Sequence, residues 1–279
     1  MSYLIKCIPR WGLSLIVSLS IVSLIGCSGV TTQKGAVGVD RQQMLLVSEK
    51  EMTQGAIKAY QEVLADAKQK NALNTDPNTV KRLRTIADRL IPQTKVYRKD
   101  APQWQWEVNL ISSDQLNAWC MPGGKIAFYS GIITKLSLTD GEIAAIMGHE
   151  ISHALREHGR ERASQAMLGQ AGLTALSILT GMEGLAMDAT SMVMQATFIL
   201  PNSRTHEIEA DRMGVELAAR GGYNPYDAVS VWQKMAKISK DAPPEFLSTH
   251  PAHDSRIKDL TRYAKKVMPL YQKSDKASY

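Results

Sequence analysis

The stretch Gly148-His149-Glu150-Ile151-Ser152-His153-Ala154-Leu155-Arg156-Glu157-His158 (GHEISHALREH) decides how this 279-residue chain is read. It gathers three of the six histidines. Upstream, Thr139-Asp140-Gly141-Glu142 has the form of a capping box, which launches a helix through the whole stretch. Inside that helix His149, Glu150 and His153 make the H-E-x-x-H pattern. Residues four apart on a helix face the same way, so both imidazoles can meet one zinc ion. Glu150 sits where it can take a proton from water at the metal. On a wheel of about 100° per residue the two histidines point away from Ile143, Met147, Ile151, Ala154 and Leu155. They face something polar, not an apolar core. His158 falls on the apolar side near the helix end, where packing or contact with the last carbonyls is expected.

A catalytic zinc site needs a third protein ligand and an open position. The candidate lies in a second helix, from about Ser203 to Arg220, stopped by Gly221-Gly222. Glu207, Asp211, Gly214 and Ala218 share one face. Glu209, Arg212, Glu216 and Arg220 share the other, which is expected to be a solvated, salt-bridged surface. Glu207 is then the third ligand, and Asp211, one turn on, the carboxylate that orients a ligand histidine. On this partition Glu209 has no part in the metal site.

The remaining pattern describes an α+β chain, mostly helical, with a small sheet. Ser48-Glu49-Lys50-Glu51 is a capping box opening a helix to about Gln69, and Asp76-Pro77 opens another to about Leu90. Trp104 to Ile111 alternates apolar and polar residues, as a strand with one buried face does. Asn117 to Met121 and Lys125 to Tyr129 flank the turn Pro122-Gly123-Gly124. Two more helices are expected near Pro225–Lys237 and Asp254–Met268. Residues 163–182 carry no charge, but Gln165, Gln170, Thr174 and Ser177 dilute them. They read as the start of a helical hairpin over the site, not as a membrane span. With 44% hydrophobic and 22% charged residues the composition is that of a globular protein. No basic run interleaved with aromatics occurs, so nucleic-acid binding is not expected.

The first residues are an address. Lys6 and Arg10 form a basic n-region, Gly12 to Ile25 is uncharged and mostly apolar, and Leu24-Ile25-Gly26-Cys27 resembles a lipobox. Residues 1–26 are expected to be a lipoprotein signal peptide, with Cys27 as the lipidated N-terminus. Ser28 stands where an inner-membrane retention signal would place Asp, which favours the periplasmic face of the outer membrane. Loss of Lys6 and Arg10, with no acid, takes the formal charge from +6 to +4. Residues 27–47, with Gly29, Gly35 and Gly38, read as a tether to a domain over 48–279.

GHEISHALREH, the PGGKI turn before it and SRTHEIEADRMG after it resemble, in order, the gluzincin family of HtpX and the CAAX prenyl endopeptidases. Within it the likeness is to the periplasmic lipoprotein branch. The resemblance implies a zincin-like fold and one zinc ion held by His149, His153 and Glu207, with Glu150 as general base. It implies a zinc metalloendopeptidase acting on unfolded or misassembled envelope proteins, or an assembly factor for outer-membrane proteins whose protease is little used. Asn202 departs from the aromatic residue that relatives often carry there. Thr249-His250-Pro251, with Arg256 beyond, also resembles a family motif. His250 is expected to be a replaceable fourth ligand, to stabilise the oxyanion, or to be a capping or loop histidine before the last helix. The Asn117–Tyr129 segment is expected to offer a strand edge to an extended substrate.

Overall fold

The computed structural model describes residues 28–180, 188–238, 245–250 and 255–276. The expected leader and the lipidation expected at Cys27 fall outside the described residues.

Three strands form the sheet: β3 (Glu107–Ile111), β4 (Ala118–Met121) and β5 (Lys125–Tyr129). Their order is β3-β5-β4, with β3 parallel and β4 antiparallel to the central strand. The β4–β5 turn uses Gly123 and Gly124 at φ of 80° and 83°. A side chain at Gly124 would also strike the Trp106 ring, 2.6 Å from where its Cβ would stand. Alternation within the strands sorts their side chains into two cores. Val108, Leu110, Ala118, Ile126 and Phe128 face one, and Ile111, Trp119, Met121 and Ala127 the other.

Helix α1 (Glu49–Gln69) covers the second face through Met52, Ala56, Ala59 and Tyr60. Helix α2 (Pro77–Leu90) covers the first with Val80, Leu83 and Ile86. The strand expected from Trp104 is therefore corrected in two respects. It starts only at Glu107, because Ala101–Gln103 forms a 3-10 turn and Trp104 stacks on Trp106. Both its faces are covered, so even Asn109 is buried, donating to the Tyr60 hydroxyl at 2.8 Å.

After the short α3 (Ser130–Lys135), helix α4 (Asp140–Leu155) runs through the interior, with every residue from Glu142 to Leu155 buried. The capping boxes at Ser48 and Thr139 and the Asp76 cap form as the sequence predicts. Helices α5 (His158–Thr180) and α6 (Ala189–Phe198) follow, and Arg162 of α5 donates to the carbonyl of Ala196 in α6 at 2.6 Å. Among the described residues no helix is long and apolar enough to cross a membrane. Helices α7 (Arg204–Arg220), α8 (Asp227–Ile238), α9 (Glu245–Thr249) and α10 (Arg256–Lys276) complete the body around α4.

Residues 28–47, expected to be a tether, are folded onto this body. β1 (Ser28–Gly29) pairs with β2 (Gln43–Met44), and Val37 and Val39 join the core. Gln43 donates to the Arg156 carbonyl at 2.6 Å. Glycine content alone suggested a linker; the anchoring side chains are single residues scattered between the glycines.

Candidate metal centre

Two glycines set the distance between the helices that carry the site. A Cβ on Gly148 would lie 2.8 Å from the Gly214 carbonyl oxygen, and one on Gly214 would lie 2.7 Å from the His149 amide nitrogen. With hydrogen at both positions α4 and α7 cross in backbone contact. That approach puts the histidines leaving α4 against the carboxylates leaving the first turns of α7.

The Nε2 atoms of His149 and His153 stand 3.0 Å apart. Glu207 places Oε2 3.5 Å from the first and Oε1 3.3 Å from the second. His250, at the end of α9, closes the group with Nδ1 3.3 Å from His149 Nε2 and 3.0 Å from Glu207 Oε1. All four are buried, with ligand atoms within 4.8 Å of one another. The donors of a tetrahedral zinc site, about 2.0–2.1 Å from the ion, stand roughly 3.3 Å from each other. The spacing and the nitrogen-and-carboxylate donor set therefore fit zinc. Asp211 Oδ1 lies 3.0 Å from His149 Nδ1, so that nitrogen donates to the carboxylate and Nε2 is the one that would turn a lone pair to a bound metal.

The electrostatics also favour positive charge at the centre. Burial opposes the charge on Glu207, but His250 and Arg256 outweigh it and hold the carboxyl well below its usual range. Burial likewise opposes charge on His149, yet Asp211 and Glu207 raise it to about 9. Burial drives His153 well below the ordinary imidazole value, so it is neutral. Arg256 binds the carboxylates together, donating to Glu207 Oε2 at 2.8 Å and Asp211 Oδ1 at 2.7 Å while lying over the Trp232 ring.

Glu150, next to His149 on α4, is 3% exposed, and burial raises its carboxyl above the ordinary value. Among the described residues its Oε1 has no hydrogen-bond partner and stands 3.6 Å from His250 Nε2. Phe246 stacks on the His250 ring, and Asn202, the departing residue, donates to the Thr249 carbonyl at 3.1 Å and lies 3.4 Å from His250 Nδ1. Arg162 pairs with the Asn202 side-chain oxygen from α5. β4, expected to offer an edge to substrate, is at the margin of the sheet and packs on α4.

Every residue expected in the site is thus brought together: His149, Glu150, His153, Glu207, Asp211 and His250. The expected outer face of α7 is corrected. Glu209 and Glu216 are buried, because the N-terminal segment and the 3-10 turn at Ile91–Val96 cover them. Glu216 accepts from the Tyr97 hydroxyl at 2.7 Å and the Val37 amide at 3.1 Å. Glu209 pairs with Arg41 at 2.9 Å and Arg156 at 3.3 Å. His158 neither caps the helix nor packs among apolar residues. It is fully buried, with one nitrogen 2.8 Å from His153 Nδ1 and the other 3.0 Å from Glu209. Arg220 does pair with Glu216 at 2.8 Å, as the expected salt-bridged face implies, but no local signal marked the burial, since the groups that cover these residues lie far off in sequence or one helix away.

The sequence model of peptidase family M48 matches residues 77–264. The mitochondrial metalloendopeptidase OMA1 of Saccharomyces cerevisiae is 30% identical over 182 residues, 62% of this chain and 51% of that protein. OMA1 of Arabidopsis thaliana is 35% identical over 158 residues, 56% of this chain and 31% of its own. The beta-barrel assembly-enhancing protease of Yersinia pestis is 29% identical over 206 residues, 70% and 40% respectively. The chain spans about a third to a half of the length of these relatives. The matched region runs from the start of α2 into α10 and takes in both crossing helices, His250 and Arg256. The chain belongs to peptidase family M48, whose members are zinc metallopeptidases.

Proposed function

We propose that this chain is a zinc-dependent endopeptidase that degrades misfolded or stalled envelope proteins. The observation that carries the reading is Glu150: a buried carboxylate whose Oε1 has no hydrogen-bond partner among the described residues, beside a four-residue set spaced for zinc. His149, His153 and Glu207 would hold the ion, and His250 is placed to reach it. Bound zinc would polarise the scissile carbonyl and acidify the attacking water. Glu150 takes the proton from that water and later delivers it to the leaving amine. Its raised pKa suits both transfers. Asp211 keeps the His149 tautomer, and Arg256 keeps the carboxylates of Glu207 and Asp211 in place. The β4 edge would align an extended substrate by strand addition.

The proposal extends to the finer placement in the family. The leader with Cys27 and the order of the three motifs support the periplasmic lipoprotein branch. They support attachment through lipidated Cys27 to the periplasmic face of the outer membrane. A second reading, an assembly factor for outer-membrane proteins, is favoured by the relative named a beta-barrel assembly-enhancing protease. Glu150→Gln tests both. It should bind one zinc and fold normally while cleaving casein at least 10²-fold more slowly. Near-normal cleavage by the zinc-loaded variant would defeat the proposed chemistry. In cells, accumulation of envelope proteins with Glu150→Gln supports degradation; full complementation by it supports assembly.

A further inference from the structure

The two histidines of α4 are not oriented in the same way. His149 meets a carboxylate directly, through Asp211 at 3.0 Å. His153 meets another histidine: its Nδ1 lies 2.8 Å from Nδ1 of His158. His158 in turn presents Nε2 to Glu209 Oε2 at 3.0 Å, and its ring stacks on His206 with centroids 4.4 Å apart. Glu209 is fixed from two sides. Arg156 reaches both its oxygens at 3.3 Å, and Arg41, from the N-terminal segment, reaches them at 2.9 and 3.2 Å.

One arrangement of hydrogens satisfies every one of these contacts. An imidazole that turns its Nε2 lone pair to a metal carries its hydrogen on Nδ1. His153 therefore donates from Nδ1, and the acceptor within reach is the Nδ1 lone pair of His158. That leaves the His158 hydrogen on Nε2, where it donates to Glu209. The opposite tautomer of His158 would set two N–H groups head to head and leave the Glu209 oxygen facing a lone pair. The buried Arg156 and the half-buried Arg41 then hold the carboxylate that ends the chain.

We propose that His158 and Glu209 are positioning residues for His153, a histidine-carboxylate chain one link longer than the one serving His149, completed by Arg41 and Arg156. This rests on the reading of His153 as a ligand through Nε2. It makes metal affinity depend on residues that do not touch the metal, one of them in the segment directly following Cys27. It also reverses the expectation that Glu209 has no part in the site.

The test measures zinc affinity of the full chain by competition with a chromophoric chelator. Loss of an orienting partner typically weakens metal binding about 10–100-fold. His158→Ala should fall in that range. His158→Gln, whose carbonyl can still accept from His153, should recover most of the loss. Glu216→Gln, a buried carboxylate on the same helix outside the chain, should leave affinity unchanged. Cobalt-substituted His158→Ala should show an altered visible spectrum, which a merely structural role would not produce. In the zinc-loaded wild type, nitrogen-15 NMR of labelled histidines should find His158 with its hydrogen on Nε2. That measurement needs no variant to fold. A His158 hydrogen on Nδ1 overturns the proposal, as does wild-type zinc affinity in His158→Ala. If His153→Ala and Glu207→Ala also bind zinc like wild type, the metal-site reading itself falls. If those two lose zinc and His158→Ala does not, the orienting chain alone falls.

Discussion

Arg256 joins Glu207 to Asp211 with one guanidinium, at 2.8 and 2.7 Å, and is itself 2% exposed. Removing it leaves two buried carboxylates facing each other. Arg256→Ala is expected to cost about 3–5 kcal/mol, read as a lower urea midpoint. Arg256→Lys, a point charge without the fork, should recover only part. An unchanged midpoint in Arg256→Ala would show that the two acids do not depend on it. His250 gives a prediction with opposite signs. As a removable fourth ligand its loss frees the position water needs, and His250→Ala should raise casein cleavage and self-cleavage. As an oxyanion stabiliser its loss should lower turnover about 10²–10³-fold with metal content unchanged. Its place in the four-residue cluster, 3.0 Å from Glu207, supports the first. At this scale the sequence was readable wherever spacing along one helix brings groups together, as for His149 with His153 and Glu207 with Asp211. Glu209 was not readable that way. Arg41 and His158 are 168 and 51 positions away from it, and a wheel drawn for one helix cannot show what another segment lays over it.

Among the elements, the α4–α7 crossing determines whether the site assembles at all. Gly214→Ala would force a methyl against the His149 amide nitrogen and push the helices apart. It is expected to cost about 1–3 kcal/mol from overpacking and to weaken zinc binding as well. Gly55→Ala is the control, since its Cβ would meet the Ala189 carbonyl oxygen at 2.3 Å, between α1 and α6. It should destabilise by a similar amount with zinc affinity intact. Equal zinc affinity in Gly214→Ala and wild type would mean that the ligands tolerate a wider crossing. Element starts were legible because capping boxes are local chemistry, and Ser48, Asp76 and Thr139 all cap as read. The strand at Trp104 was overextended because alternation is equally produced by a turn in which two tryptophans stack. Nothing local in Gly148 or Gly214 announced their contact, which exists only once both helices are packed.

Across the whole molecule, the N-terminal segment behaves as a clasp. It brings Arg41 and Gln43 to Glu161, Arg41 to Glu209, and the Val37 amide to Glu216. Burial opposes charge on Glu161, yet Arg41, His206 and Gln43 outweigh it and hold its carboxyl far below the ordinary 4.5. A depressed folded-state pKa stabilises above the unfolded value and loses that stabilisation as pH falls below it. The stability gap between wild type and Glu161→Gln should therefore be widest at neutral pH and shrink below about 4.5. A gap that widened in acid would contradict the pairing. The same clasp decides where the folded unit begins. A chain starting at residue 48, the boundary expected from sequence, would strip Arg41 from two buried carboxylates and the Val37 amide from a third. Each loss leaves a charge buried with fewer partners, at a cost of about 1–3 kcal/mol or more. Residues 48–279 alone should therefore melt well below residues 28–279 and bind zinc more weakly, through loosened Glu209. Calorimetry and chelator competition on the two purified forms read both effects. Equal melting and equal affinity would return the segment to the tether its glycines suggested.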